Sequence, residues 1–302
     1  FAGWAQFAWW LVWPTVLSLL ASWLAQRFEL AQGWQAMFIA LPWLVMLALT
    51  ILVFVNLALK GGMYIYYFQY YLDETALAAF LQGIGFNGFI ATINAGLAAA
   101  GLTQFEWPKD AATSAFSLFN AGGIIFMILG ITLSQRFANR YGKRNVFGGA
   151  LLVSTLFLLA FFFYSPQSIG LVFISYVLHG FSYGITIPLL WAMIADVADY
   201  SEWKNNRRAT AIIFSAMLCG LKIGLSVGGA LVAGILAFYG YDADATMQTP
   251  QTVNGIRLAI SIYCSIPFLI AVAMLSLYKI DKAMESRIER DLAERRLVPA
   301  TP

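Results

Sequence analysis

The sequence predicts an all-α membrane protein, and three observations support that prediction. Apolar residues make up 61% of the 302-residue chain and charged residues only 11%, whereas soluble domains are about half apolar and about a quarter charged. Seven stretches reach the length of about 20 mostly apolar residues that a transmembrane helix needs. These stretches are continuously apolar, which indicates helices, because the strands of a membrane barrel alternate in segments of about ten residues.

The predicted spans follow one another along the whole chain. They cover residues 4–25, 42–71, 112–134, 146–164, 169–195, 211–238 and 256–278. A weaker stretch, 83–102, is uncharged but carries Asn87, Asn94 and several glycines.

Basic residues concentrate in alternate connections between the spans. Thirteen of the 18 Lys and Arg residues lie in three segments, which are 135–145, 196–210 and the tail from Lys279. Basic connections face the cytoplasm, so we expect these segments and the C-terminus inside the cell. A crossing by 83–102 would place the basic connection 136–144 outside, so we interpret 83–102 as an external hairpin or interfacial helix.

The tail repeats apolar residues at helical spacing, with charged residues on its other faces. The apolar positions are Ile280, Met284, Ile288 and Leu292. This pattern predicts either an amphipathic helix on the anionic inner leaflet or a solvated, partly helical tail.

Composition disfavours several other functions. The net charge is only +3, and the chain has one histidine, so we expect no nucleic-acid partner and no metal site. An enzyme would need a nucleophile–base pair or a metal constellation, and no paired carboxylates occur in the apolar spans. We therefore predict no catalytic residue and no cofactor.

The segment Ala195–Lys204, of sequence ADVADYSEWK, follows a long apolar run. It resembles the AD-x-x-DY-x-E-[WY]-[KR] signature of the glycoside–pentoside–hexuronide:cation symporters, the melibiose-carrier-like branch of the major facilitator superfamily. Other similar segments are Arg136–Arg144, Asn56–Gly62 with the following Tyr66–Tyr71, and Lys222, which lies 26 residues after Asp196.

The resemblance implies a major facilitator fold, in which two six-helix halves enclose the substrate. Residues 42–278 would form the C-terminal six-helix half, with an external insertion at about 72–111. Residues 1–41 would belong to helix 5 and the start of helix 6 of the N-terminal half. Residues 279–302 would form a cytoplasmic amphipathic tail.

The sequence departs from the family between its two halves, where a long basic connection is missing. If the helix 4–25 runs outward, the chain is outside the membrane after it, yet the helix 42–71 must start inside. The chain would then have to return across the membrane within residues 34–41. Eight residues at about 1.5 Å each cannot cross a hydrocarbon core of about 30 Å. We therefore hypothesise that residues are omitted between Leu41 and Pro42.

The resemblance implies uptake of a sugar or glycoside coupled to Na⁺ or H⁺, by alternating access, in a monomer in the bacterial inner membrane. The transported ion and membrane lipid would be the other partners. Two alternatives stay open. Met217 and Leu218 are apolar where some sugar carriers have polar residues, which leaves open a carrier of a lipid-like amphiphile. A non-transporting membrane sensor is the other.

Four residues are candidates for substrate binding or cation coupling. Lys222 lies deep in a predicted span, where an ammonium needs a cavity and a carboxylate, and the resemblance places it between sugar and cation sites. Lys60 precedes two glycines, His179 is the only histidine, and Trp191 offers a ring for sugar stacking. Each residue also has a structural interpretation. Lys222 could snorkel to the membrane surface and Lys60 could belong to a helix bend at the glycines. His179 could be a hydrogen-bonded interhelical histidine, and Trp191 could anchor its helix at the membrane interface.

A second set of charges lies at the predicted cytoplasmic ends of the spans. The resemblance implies that such charges form ion pairs that stabilise one access state, although simple topological charge would explain the basic ones. The set comprises Asp196, Asp199, Glu202, Arg140, Lys143, Arg144 and Arg207.

Overall fold

The computed structural model describes residues 33–103, 110–206 and 209–297. These residues form helices joined by short connections, with no strand among them. The first predicted span, 4–25, and the candidate Arg207 lie outside the described residues. The chain divides into two compact units at Leu41, and the fold and site below concern the second.

We number the α-helices in chain order. Their bounds are α1 Gly33–Tyr66, α2 Glu74–Gly83, α3 Phe86–Ala99, α4 Ala111–Tyr141, α5 Lys143–Ala160, α6 Ile169–Asn205, α7 Thr210–Phe238, α8 Pro250–Leu258, α9 Cys264–Met274 and α10 Lys282–Leu297. A π-helical turn, Tyr67–Tyr71, extends α1, and a second, Ala259–Tyr263, joins α8 to α9.

Within the described residues, six helical segments are long and apolar enough to cross a membrane. They are Leu41–Tyr71, Ala111–Tyr141, Lys143–Phe163, Ile169–Asn205, Thr210–Phe238 and Pro250–Leu277. The six predicted spans from 42–71 onward are thus confirmed as helices. Several helices run past the predicted ends because their charged terminal turns stay helical; α6 continues through the ADVADYSEWK segment to Asn205.

Helix α1 runs without a break from Gly33 to Tyr66, with Pro42 inside it. The omission of residues between Leu41 and Pro42 stays a prediction. A peptide map that shows direct continuity there would refute it.

The weaker stretch 83–102 belongs to a bent helical pair. Helices α2 and α3 meet at 58°, with Gly85 at φ +70° between them. Asp73 begins α2 by accepting hydrogen bonds from the Thr75 hydroxyl and the Ala76 amide, which lower the pKa of its carboxyl. Helix α2 contacts α4 and α6. Whether the pair crosses the membrane stays a prediction.

Helix α6 is the centre of the bundle, since it contacts α4, α5, α7 and α10. It approaches α4 closely through glycines. A Cβ on Gly184 would lie 2.1 Å from the Met127 carbonyl oxygen, and a Cβ on Gly130 would lie 2.1 Å from that of Phe181. The two backbones are therefore in contact, and this fixes the rotation of α6 about its axis.

Glycines also bring α7 against α1. A Cβ on Gly224 would lie 2.6 Å from the Ile51 carbonyl oxygen, and a Cβ on Gly228 would lie 2.5 Å from that of Val55. Close helix packing by small residues is typical of membrane helices. Lys222 lies between the glycines in sequence but on the opposite side of α7, where it is exposed.

The tail helix α10 packs on protein. Ile288 and Leu292 are only 2% and 5% exposed, and α10 contacts α6. The sequence pattern predicted a helix on the membrane surface or a solvated tail, but the apolar face of α10 is covered by the bundle. We call the end of the bundle that carries α10 and the α4–α5 connection the basic end.

Candidate functional site

A lysine and a histidine meet inside the bundle. Lys60 of α1 places its Nζ 2.6 Å from Nε2 of His179 on α6, and their side chains belong to residues only 6% and 1% exposed. Because an ammonium has only donors, Nε2 must accept this hydrogen bond. We call Lys60 and His179 the buried pair.

The opposite edge of the imidazole is held by Ser154 of α5. Nδ1 lies 3.0 Å from the Ser154 carbonyl oxygen and 2.8 Å from its hydroxyl. A carbonyl only accepts, so this hydrogen-bond pattern assigns the ring proton to Nδ1. His179 is therefore a neutral imidazole whose lone pair faces Lys60.

The buried pair has room for one positive charge. Two charges at the 2.6 Å separation of Nζ and Nε2 would repel by about 6 kcal/mol, even at an effective dielectric constant of about 20. The ring of Tyr183 lies 4.2 Å from Lys60 Nζ and supplies a cation–π contact. Among the described residues no carboxylate lies within ion-pair distance of Lys60.

Two further polar side chains on α1 lie one turn either side of Lys60. Asn56 donates to the Cys264 carbonyl oxygen at 2.5 Å, but its own Oδ1 is buried without a partner among the described residues. The Tyr64 hydroxyl is likewise buried and unpartnered there. Asn56 lies in a segment that resembles the family, but the sequence alone indicates no role in the site for Asn56 or Tyr64.

The other two coupling candidates lie apart from the buried pair. Lys222 is exposed on α7, and no described residue forms an ion pair with it. Trp191 packs against Phe214 of α7, with ring centroids 6.5 Å apart, and lies three helical turns beyond His179. The structure thus joins Lys60 to His179 and leaves the roles of Lys222 and Trp191 as predictions.

At the basic end, Lys143 binds two carboxylates. Its Nζ lies 2.7 Å from Oδ1 of Asp196 on α6 and 2.7 Å from Oε1 of Glu285 on α10. Lys143 itself begins α5, directly after Gly142 at φ +84°. These three residues, which we call the ion-pair cluster, connect three helices.

A second group of contacts holds α10 to the end of α6. Glu202 pairs with Arg296 at 3.2 Å, the Trp203 indole donates to Asp291 at 2.9 Å, and Arg295 donates to the Trp203 carbonyl at 3.1 Å. The sequence alone indicates no such role for Glu285, Asp291 and Arg296, because these contacts form only when the tail folds back onto the bundle.

The remaining charged candidates make no ion pair among the described residues. Arg140 is exposed and its guanidinium lies 5.2 Å from the Tyr141 ring. Asp199 and Arg144 have no ion-pair partner there. Their proposed part in a charge network stays a prediction.

The six long apolar helices of the described residues indicate a multi-pass helical membrane protein. A family model described as MFS/sugar transport protein matches residues 110–282, which is more than half of the chain. The chain therefore belongs to the MFS/sugar transport protein family, and its fold is the all-α fold of that family. This confirms the resemblance drawn from the ADVADYSEWK segment.

Similar proteins include three bacterial carriers. The putative glycoside/cation symporter YagG of Escherichia coli (strain K12) is 28% identical, in an alignment that covers 84% of this chain and 47% of YagG. The isoprimeverose transporter of Lactiplantibacillus pentosus is 25% identical, in an alignment that covers 84% of this chain and 45% of that transporter. The inner membrane symporter YicJ of Escherichia coli (strain K12) is 30% identical, in an alignment that covers 50% of this chain and 33% of YicJ.

The chain spans about half the length of the curated relatives it matches most extensively. All three of these relatives are transporters by name, and none is an enzyme.

Proposed function

We propose that the chain is the C-terminal part of a cation-coupled sugar or glycoside symporter that works by alternating access. The observation that carries this proposal is the ion-pair cluster. It joins Asp196 of the family signature to Lys143 and Glu285, so charge holds three helices together at one end of the bundle.

A cluster of this kind suits a contact that must open and close. The side chains of Lys143, Asp196 and Glu285 are 25%, 13% and 20% exposed. Partly exposed ion pairs contribute about 1 kcal/mol or less each. Such contacts stabilise one arrangement of helices without preventing a rocking motion between access states.

The positive charges also support an orientation. Basic connections face the cytoplasm, so the basic end, the ion-pair cluster and the C-terminus would lie on the inside of the bacterial inner membrane. Sugar would then enter from the opposite end, and the ion-pair cluster would close the inner exit.

The test is uptake of radiolabelled glycosides, pentosides and hexuronides by vesicles that carry the full-length protein, under an imposed Na⁺ or H⁺ gradient. We expect one sugar class to accumulate with one gradient. Lys222→Ala, run in parallel, should abolish accumulation if Lys222 lies between sugar and ion. Absence of uptake for every sugar under both gradients would overturn the proposal.

Exposed apolar residues favour a second candidate, a carrier of a lipid-like amphiphile. Leu218 and Ile223 flank Lys222 on α7 and are exposed. Met217 does not contribute to that surface, because it is fully buried and its sulfur lies 3.6 Å from the Thr50 hydroxyl of α1. Transport of a fluorescent lysolipid in place of sugar would support this alternative.

A further inference from the structure

An open groove runs between α4, α5 and α6 near the basic end. Its volume is about 370 Å³, within the range of about 300–1,000 Å³ that is typical of small-ligand pockets. Phe137 of α4, Val153 of α5 and Ile185 of α6 line it. Phe137 and Val153 are 37% and 43% exposed, so the groove opens onto an apolar surface. Neither the buried pair nor the ion-pair cluster lines it.

The arrangement of the helices explains the groove. Helices α4 and α5 are joined by Gly142 alone, and each packs more extensively on α6 than on the other. No other helix of the described residues comes within 4 Å of a Cβ built on Gly149 of α5, so the space above this glycine is open. The α5 lining extends from Asn145 to Val153, which at about 1.5 Å per residue is about 12 Å. One leaflet of a hydrocarbon core of about 30 Å is about 15 Å deep, so the groove covers most of one leaflet.

The two ends of the groove differ in polarity. At the basic end its lining includes Tyr141 and Asn145, which are both exposed. The Arg140 guanidinium lies 5.2 Å from the Tyr141 ring, and it forms no ion pair among the described residues. Away from that end, the α5 lining from Val146 to Val153 is wholly apolar. A positively charged mouth beside an apolar groove fits an amphiphile with an anionic head.

We propose that this groove binds one anionic phospholipid of the inner leaflet, such as phosphatidylglycerol. One acyl chain lies along α5 over Gly149, and the headgroup phosphate binds the Arg140 guanidinium. The Tyr141 hydroxyl and the Asn145 amide supply further hydrogen-bond donors at the mouth. Arginine suits this role because its planar fork binds a phosphate through two parallel hydrogen bonds. The site lies apart from the solute path, so it does not depend on which solute is carried.

Charge selects the headgroup at this site. Arg140 lies between Arg136 and Arg144 in the sequence, and basic clusters beside membrane helices attract anionic lipids of the cytoplasmic leaflet. Phosphatidylethanolamine carries an ammonium that the arginines repel, whereas phosphatidylglycerol carries no cation. We therefore expect a preference of about fivefold for phosphatidylglycerol from one arginine.

Native mass spectrometry of the full-length protein in detergent counts the bound lipids. The unmodified protein should hold one phosphatidylglycerol about fivefold more tightly than phosphatidylethanolamine, and Arg140→Gln should lose this preference. Arg290→Gln is the matched control, because Arg290 is an exposed arginine of α10 outside the groove, and it should keep the preference. Equal affinity of the unmodified protein for the two lipids, or an unchanged preference in Arg140→Gln, would overturn the proposal.

Gly149→Leu fills the groove itself. Leucine is a better helix former than glycine, so α5 should stay helical, and equal thermal unfolding in lipid-free detergent would show this. The variant should bind both lipids about tenfold more weakly, because it displaces methylene groups of the acyl chain from the groove. Gly170→Leu on α6 is the control, since no other described helix lies within 4 Å of its built Cβ and it does not line the groove. Unchanged lipid affinity in a folded Gly149→Leu protein would contradict the site.

A phosphatidylglycerol that carries a photoreactive diazirine on its acyl chain locates the site. After illumination, peptide mapping should find adducts within 137–141 and 145–153, and Gly149→Leu should remove them. Glycerol 3-phosphate, the headgroup without acyl chains, should not compete. Adducts only outside these segments, or displacement by glycerol 3-phosphate, would overturn the proposal. Because these measurements use no sugar, a failure of sugar uptake would overturn the proposed symport and leave the lipid site supported.

Discussion

At the residue scale, a few side chains determine how the helices are held together. Lys143 binds Asp196 and Glu285, each at 2.7 Å, while the nearby Arg136 is exposed and forms no ion pair among the described residues. Two lysines of similar chemistry also differ in environment: Lys60 is buried against His179, whereas Lys222 is exposed. Residue type alone therefore does not decide the role of a charge in this protein.

Lys143→Ala should release both carboxylates and lower the free energy of unfolding by about 1–2 kcal/mol, since partly exposed pairs contribute about 1 kcal/mol or less each. Thermal unfolding of the purified protein in detergent measures this. The double variant Lys143→Asp with Asp196→Lys should recover part of the loss. Arg136→Ala is the control, and an equal loss in that variant would show that the ion-pair cluster contributes nothing specific.

At the element scale, small residues determine which helix faces meet. Gly228 brings α7 against the backbone of α1, whereas no other helix of the described residues comes within 4 Å of a Cβ built on the adjacent Gly229. Glycine costs about 1 kcal/mol relative to alanine within a helix. Close packing therefore favours glycine at position 228, whereas at position 229 only helix propensity acts, and it favours alanine.

Gly228→Ala should destabilise the protein by about 1–3 kcal/mol, because the added methyl group would overlap the Val55 carbonyl oxygen and force the helices apart. Gly229→Ala should instead stabilise it by up to about 1 kcal/mol. Unfolding of the two variants in the same detergent gives the comparison. Equal effects of the same sign would contradict the α1–α7 contact described above.

At the scale of the whole molecule, the tail helix closes the basic end. Helix α10 binds Lys143 through Glu285 and the end of α6 through Asp291 and Arg296. Just before α10, the buried Tyr278 donates its hydroxyl to the Met193 carbonyl oxygen at 3.3 Å. Burial, with Asp196 and Glu285 nearby, raises the pKa of Tyr278 well above its ordinary value. The tail is therefore part of the bundle.

Ile288→Asp should undock α10, because it places a carboxylate where the side chain is buried against the bundle. Trypsin should then cut the tail at its arginines about tenfold faster than in the unmodified protein, since cleavage follows local opening. Glu289→Gln changes the exposed neighbour and should leave the cleavage rate unchanged. Equal rates in all three proteins would show that the tail does not depend on this contact.

The sequence by itself determined which segments form membrane-capable helices, since the length and apolarity of a span are local properties of the chain. The six described spans from 42–71 onward were predictable for that reason. The family was predictable from the ADVADYSEWK segment, which is also continuous in the chain. Lys60, His179, Lys143 and Asp196 were recognisable as candidates because each is a polar residue in or beside an apolar run.

Only the tertiary structure decided which of these residues meet. Lys60 and His179 are 119 positions apart, and their contact depends on the rotation of α1 and α6 about their axes. The rotation of α6 is set by glycine contacts with a neighbouring helix, such as Gly184 against Met127 of α4. Glu285 joins Lys143 because the tail folds back onto the bundle. No local pattern encodes these pairings, because they arise from helix packing between segments far apart in the chain.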